Sequence, residues 1–215
     1  MADSEITLLD IAQEIRTCNK CVLASSRKNA VPGEGPPQAE IMLIGEGPGF
    51  YENEQGRPFV GQAGKYLDEL LNLAGLKREN VYITNVVKCR PPGNRDPQEE
   101  ELIACRDYLD HQIALINPLI IVTLGRFSMA RYFHDAKISL VHGRYTWVNG
   151  QMIIPMYHPA AGLHQPALKS AIEKDFSQLP GFIEKARLMK ISNAIESQKS
   201  PAKNPEEDAT QLNLF

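Results

Sequence analysis

The feature that most restricts the fold is an alternation: short apolar runs that stop abruptly, separated by longer segments of helical periodicity. AEIMLIG (39–45) ends at glycine, NVYITNVV (80–87) is a second β-rich run, and PLIIVTLG (118–125) is a third. Runs of this length between turn residues read as buried strands. YTWVNGQMIIPMYH (145–158) predicts a hairpin about Asn149-Gly150 whose last strand ends at His158. Helices are expected over 5–16, 64–76 with Gly75 as the stop, 126–133, and 167–190 with a break near Pro180-Gly181. A further helix over 96–117 is expected to begin with Asp96 as N-cap, Pro97 in first position and Glu99 three residues after the cap. Strands alternating with helices predict an α/β chain with a parallel sheet covered on both faces. Ligands of such folds bind beyond the carboxyl ends of the strands, where Glu46, Asn85 and His158 fall.

The 215 residues suit one sizeable domain, 1–190, plus an appendage, 191–215. ISNAIESQKSPAKNPEEDAT is polar and carries two prolines, which predicts a disordered linker before the terminal QLNLF. No apolar run approaches the roughly 18 residues of a membrane span, and the amino terminus has no signal-peptide pattern, so a cytoplasmic protein is expected. A net charge of -3 argues against a uniformly basic nucleic-acid coat while leaving room for a local basic face.

The cysteines are spaced C-x2-C-x67-C-x15-C, at Cys18, Cys21, Cys89 and Cys105. In a reducing compartment two structural disulfides are not expected. Four thiolates suit a structural zinc or a [4Fe-4S] cluster, and the spacing alone leaves both open, although the x15 gap is not the second tight pair of a zinc ribbon.

Three motifs stand at the expected strand ends: GEGPGFYENEQGRPFVGQAG (45–64), TNVVKCRPPGNR (84–95) and HPAAGLHQPAL (158–168). Singly, each has an ordinary structural explanation. Together with the four cysteines they closely resemble the family 4 uracil-DNA glycosylases, the iron-sulfur branch of that superfamily, over roughly residues 5 to 185. The resemblance implies a three-layer α/β/α sandwich around a four-stranded, mainly parallel sheet. It also implies a [4Fe-4S] cluster on the four cysteines and uracil-containing DNA, single- or double-stranded, as substrate for a monomeric enzyme.

The resemblance assigns roles residue by residue. Phe59 matches the ring that stacks on the extruded base, and Gly45 and Gly47 line the substrate position. Asn85 matches the amide that reads the pyrimidine edge; cytosine presents the opposite donor–acceptor pattern and is rejected. His158 matches the histidine near uracil O2, where charge develops as the base departs. Gly47 stands where related branches carry a water-positioning aspartate, which implies dissociative cleavage with water captured afterward. Glu46, Glu52 and Asn94 are matched polar positions: Glu46 to orient a loop, Glu52 to crowd a thymine methyl or organise water, Asn94 to hold water. Leu163 is the expected wedge into the base stack, and His164 replaces the usual arginine. Lys88, Arg90, Arg95 and His164 are expected DNA contacts. QLNLF, Gln211 to Phe215, resembles the bacterial sliding-clamp-binding pentapeptide. The competing readings are a non-catalytic clamp-linked adaptor and a glycosylase of altered base preference.

Overall fold

A computed structural model describes residues 6–199. Its centre is a five-stranded sheet in the order β2-β1-β3-β5-β4. The strands are β1 (Ile41–Gly45), β2 (Tyr82–Asn85), β3 (Ile120–Leu124), β4 (Thr146–Val148) and β5 (Gln151–Met156). β2, β1, β3 and β5 are parallel, as the alternating sequence predicts, and β4 pairs antiparallel with β5 at the edge. The sheet therefore has one strand more than the four expected: the first arm of the hairpin is itself a short strand. Asn149 (φ 50) and Gly150 (φ 79) both take the left-handed backbone that a tight hairpin turn demands.

All residues of β1, β2 and β3 are buried, because both faces of the sheet are covered. Side chains alternate along a strand. Ile41 and Leu43 accordingly face one core with α4 (Gln62–Leu73), α9 (Lys169–Ser177) and α10 (Leu179–Lys199). Met42 and Ile44 face a second core with α5 (Glu99–Ile116), Phe127 and Tyr132. Full burial of side chains such as Leu67 and Phe176 contributes roughly 1.5–3 kcal/mol each. A third cluster joins Ile11 and Ile15 of α1 (Leu8–Thr17) and Leu23 of α2 (Leu23–Ser26) to Tyr108 and the cysteines. Shorter helices are α3 (Phe50–Gln55), α6 (Arg126–Ala130), α7 (Ile138–Val141) and α8 (Pro159–His164). No described helix is long and apolar enough to cross a membrane.

Helix boundaries depart from the sequence reading in several places. α5 begins at Glu99, with Gln98 as N-cap and Glu101 accepting from the Gln98 N–H at 2.8 Å. Asp96 is instead engaged by Arg126, so it does not cap the helix. α6 stops at Ala130, short of the expected Phe133. The polar segment after residue 190 does not begin a linker at once: α10 continues to Lys199, since neither proline nor glycine interrupts 182–200. The break before α10 falls at Gln178, and Pro180 sits in its first turn, where a missing N–H costs nothing. The Gln211–Phe215 motif lies outside the described residues.

Candidate active site

β2 ends on Asn85, in register with Gly45 at the end of β1. Asn85 is 1% exposed, and its Oδ1 has no hydrogen-bond partner. Leaving a buried acceptor unpaired costs about 1–3 kcal/mol, so this oxygen is set to meet a donor from outside the fold. A Cβ added at Gly45 would lie 2.4 Å from Asn85 Oδ1 and 2.7 Å from Phe59 Cζ. Glycine at 45 thus lets the amide and the aromatic ring meet over one floor.

Phe59 has φ 49, unusual for a bulky residue, and its surroundings hold it there. Arg78 Nη1 donates to the Phe59 carbonyl at 3.1 Å and Nη2 to the Pro58 carbonyl at 2.6 Å. α4 passes so close that a Cβ at Gly64 would fall 1.9 Å from the Phe59 carbonyl oxygen. Glu52, on α3, closes the same loop. Its carboxylate accepts from the backbone N–H groups of Gly49 (3.1 Å), Val60 (2.8 Å) and Gly61 (2.9 Å).

His158 follows β5. Pro159 favours extended backbone at residue 158 (ψ 136) and starts α8 at its first position. The imidazole then caps its own helix: Nδ1 accepts from the Ala160 N–H at 3.1 Å. Accepting there requires a bare Nδ1, which leaves the proton on Nε2. Burial pushes the His158 pKa down to about 4, only partly opposed by the Glu52 carboxylate. The ring is neutral at neutral pH. It lies roughly parallel to Phe59, centroids 5.4 Å apart and planes at 28°.

These side chains line one cleft of about 490 Å³, which also takes in Glu46, Gly47, Asn94, Arg95 and His164. Burial raises the Glu46 pKa, with Asp96 adding to the effect and Arg126 opposing it. Asn94 (φ 55) accepts from Arg90 Nε at 2.8 Å through its Oδ1. Leu163, 44% exposed, stands on α8 beside His164.

The four cysteines lie in a separate place. Cys18 and Cys21 follow α1, Cys89 lies between β2 and α5, and Cys105 is on α5. All four thiols are free and line a single small cavity with Ile15, Ala24, Ala104 and Tyr108. Arg27 Nη1 donates to Cys89 Sγ at 3.3 Å, and the Lys20 N–H to Cys18 Sγ at 3.5 Å. Among the described residues, no three His, Cys, Asp or Glu side chains already stand as a metal-binding group. The donor set nevertheless suits a thiolate-bound centre: four sulfurs share one cavity, with Lys20 and Arg27 around it to offset their negative charge.

Residues 32–178 match the family model described as the uracil DNA glycosylase superfamily. The chain belongs to that superfamily. It is 51% identical to the type-4 uracil-DNA glycosylase of Saccharolobus solfataricus, over 79% of this chain and 83% of the relative. The type-4 enzyme of Archaeoglobus fulgidus is 47% identical, covering 80% and 92% of the two chains. That of Thermotoga maritima is 41% identical, covering 81% and 94%.

Within this uracil-DNA glycosylase framework, the expected DNA contacts are not equivalent. Lys88 is corrected: it is 1% exposed and turned into the protein, so no phosphate can reach it. Arg95 lines the cleft, but it is held by Glu101, at 2.6 and 2.9 Å, in an ion pair that keeps the Glu101 carboxyl below its usual range. The Arg90 guanidinium sits 5.3 Å from the Phe50 ring centroid, beside the cleft. Glu52 lines the cleft and also organises the loop, its oxygens accepting from three backbone N–H groups. The sequence reading passed over Arg78, which carries no local signal because it acts on the Phe59 backbone from a distant element.

Proposed function

We propose that this protein excises uracil from DNA, hydrolysing the N-glycosidic bond of deoxyuridine to leave an abasic site, the first step of base-excision repair. The observation that carries this reading is the buried, unpartnered Asn85 Oδ1 on the floor of a cleft that also holds Phe59 and the neutral His158 ring. A base inside a duplex must be extruded to reach such a pocket, at a cost of a few kcal/mol. Uracil N3–H then donates to Asn85 Oδ1, and the amide nitrogen donates to O4. Phe59 offers its face to the base.

When the C1′–N1 bond breaks, its electron pair goes to N1 and charge spreads to O2. A donor fixed there beforehand stabilises that charge, and the protonated Nε2 of His158 is the donor available. Water adds to C1′ of the sugar cation and loses a proton, giving the abasic hydroxyl. With Glu52 bonded to three N–H groups and Gly47 in place of a carboxylate, water capture after cleavage fits better than attack by activated water. Asn94 and Glu46 are the polar groups left to hold that water.

Cys18, Cys21, Cys89 and Cys105 would hold a [4Fe-4S] cluster. Its contribution when bound would be structural, joining the α1–α2 segment to the loop after β2 and to α5. A brown protein absorbing visible light is expected, with four irons per chain by elemental analysis; a colourless, zinc-containing protein would replace the cluster with zinc. Gln211–Phe215 would tether the enzyme to a sliding clamp, on the strength of its sequence match. Removing 211–215 should abolish clamp binding and leave excision intact.

The test of function is a set of labelled oligonucleotides carrying U·G, U·A, T·G or single-stranded U. Alkali-labile breaks are expected at uracil. No break on any uracil substrate would reject the reading.

A further inference from the structure

Lys88 heads the fully buried side chains of the described residues by volume, and its surroundings are unusual for a lysine. Its Nζ donates to Thr84 Oγ1 at 2.7 Å, to the Asn85 main-chain carbonyl at 2.8 Å and to Gln112 Oε1 at 2.8 Å. An ammonium has three donors, and all three are used. Two of the acceptors are anchored elsewhere. Thr84 Oγ1 donates to the Pro32 carbonyl at 2.9 Å, and Gln112 Nε2 donates to the same carbonyl at 2.8 Å. The third acceptor belongs to the residue whose side chain forms the pocket floor.

The main chain of Lys88 faces the cysteines. Its N–H lies against Cys105 Sγ, its carbonyl accepts from the Val31 N–H at 2.7 Å, and Cys89 follows it in sequence. Burying a charged amine this completely is costly, and methionine would fill similar space without that cost. What a lysine supplies and a methionine cannot is three directed hydrogen bonds.

We propose that Lys88 is a positioning residue that fixes the Asn85 main chain against the Thr84–Gln112 anchor, so linking the base-reading amide to the cysteine-bearing loop. This rests on the reading of the cleft as a uracil pocket. Lys88 touches neither base nor DNA; it acts through Asn85. A displacement of the amide by about an ångström is enough to slow chemistry on the order of a hundredfold.

The test uses the full-length protein with its iron centre, a labelled oligonucleotide with one deoxyuridine, and single-turnover conditions. Binding is followed separately on the same DNA carrying a non-cleavable abasic analogue. Lys88→Met should slow excision about 10- to 100-fold, with Kd changed by less than about twofold and the visible spectrum unchanged. In an Asn85→Ala background, Lys88→Met should add little further loss, since coupled residues are not additive. Gln112→Leu keeps Lys88 and every cleft residue but removes one anchor, and should slow the same step by a smaller factor; it carries the test if Lys88→Met fails to fold. A wild-type excision rate in Lys88→Met or in Gln112→Leu overturns the proposal, as does full multiplicative loss in the double variant. Wild-type protein separates the two ideas: if it releases no uracil, the uracil reading falls and takes this proposal with it. If it is active and these variants match it, only the positioning role falls.

Discussion

Asn85→Ala is expected to slow uracil excision by on the order of a hundredfold or more while leaving the visible absorbance and the folded state in place. The reason lies in the position of the amide. Its Oδ1 is buried and unpaired in the folded chain, so truncation removes a group that no internal hydrogen bond depends on. The interaction lost is the one made with the base. Part of the binding to DNA should survive, because the amide is proposed to touch only the base. Single-turnover rates, with DNA affinity measured in parallel, check this. Bleaching of the visible spectrum of the proposed cluster in Asn85→Ala would instead place the residue in the structural framework of the cysteine loop.

The second large effect is expected at His158. His158→Ala should cost about a hundredfold in the cleavage step, the usual consequence of removing a donor aimed at developing charge. The pH dependence is more diagnostic. Burial holds the His158 pKa down to about 4, well below the ordinary value of about 6.5. The imidazole is therefore neutral, with its proton on Nε2, across the neutral range, and its contribution to excision should be level there. It should be lost only as the pH falls toward about 4, where protonation of Nδ1 breaks the bond from the Ala160 N–H. Between the two values the unfolded chain binds a proton that the folded chain excludes, so stability also declines as pH falls through that window. A cationic donor would give the opposite profile, with activity falling as pH rises through about 6.5. Rates from pH 4 to 8, for wild type and His158→Ala, distinguish the two.

Most of the fold was legible because its strands are buried on both faces. β1, β2 and β3 then stand out as apolar runs, and the turn at Asn149-Gly150 marks the hairpin. Legibility failed where tertiary contacts chose between local options. Asp96 is a good N-cap by type, but Arg126 engages it, and Glu101 caps α5 from within an acidic run that offers several candidates. The polar stretch after residue 190 reads as a linker from its composition, yet its first part, up to Lys199, holds no helix breaker and prolongs α10.

The site divides in the same way. Asn85, Phe59, Glu46, Asn94 and His158 sit in motifs at strand ends, so sequence position alone brings them to one cleft. Lys88 misled because a basic residue between a strand and a proline turn ordinarily faces solvent. Its burial depends on Gln112, which reaches it from α5, and no local pattern announces that pairing. Arg78 was missed for the same reason: its function is to hold the carbonyls of Pro58 and Phe59 from across the fold.

The most direct measurement is the identity of what leaves the DNA. Wild-type protein is incubated with an oligonucleotide holding a single isotope-labelled deoxyuridine, and the small-molecule fraction is resolved by chromatography and mass spectrometry. The structure predicts free uracil, released in equal number with alkali-labile abasic sites, and an unbroken strand before alkali is added. Release of uracil nucleoside or nucleotide with a strand break, or no release from any uracil-containing DNA, would contradict it.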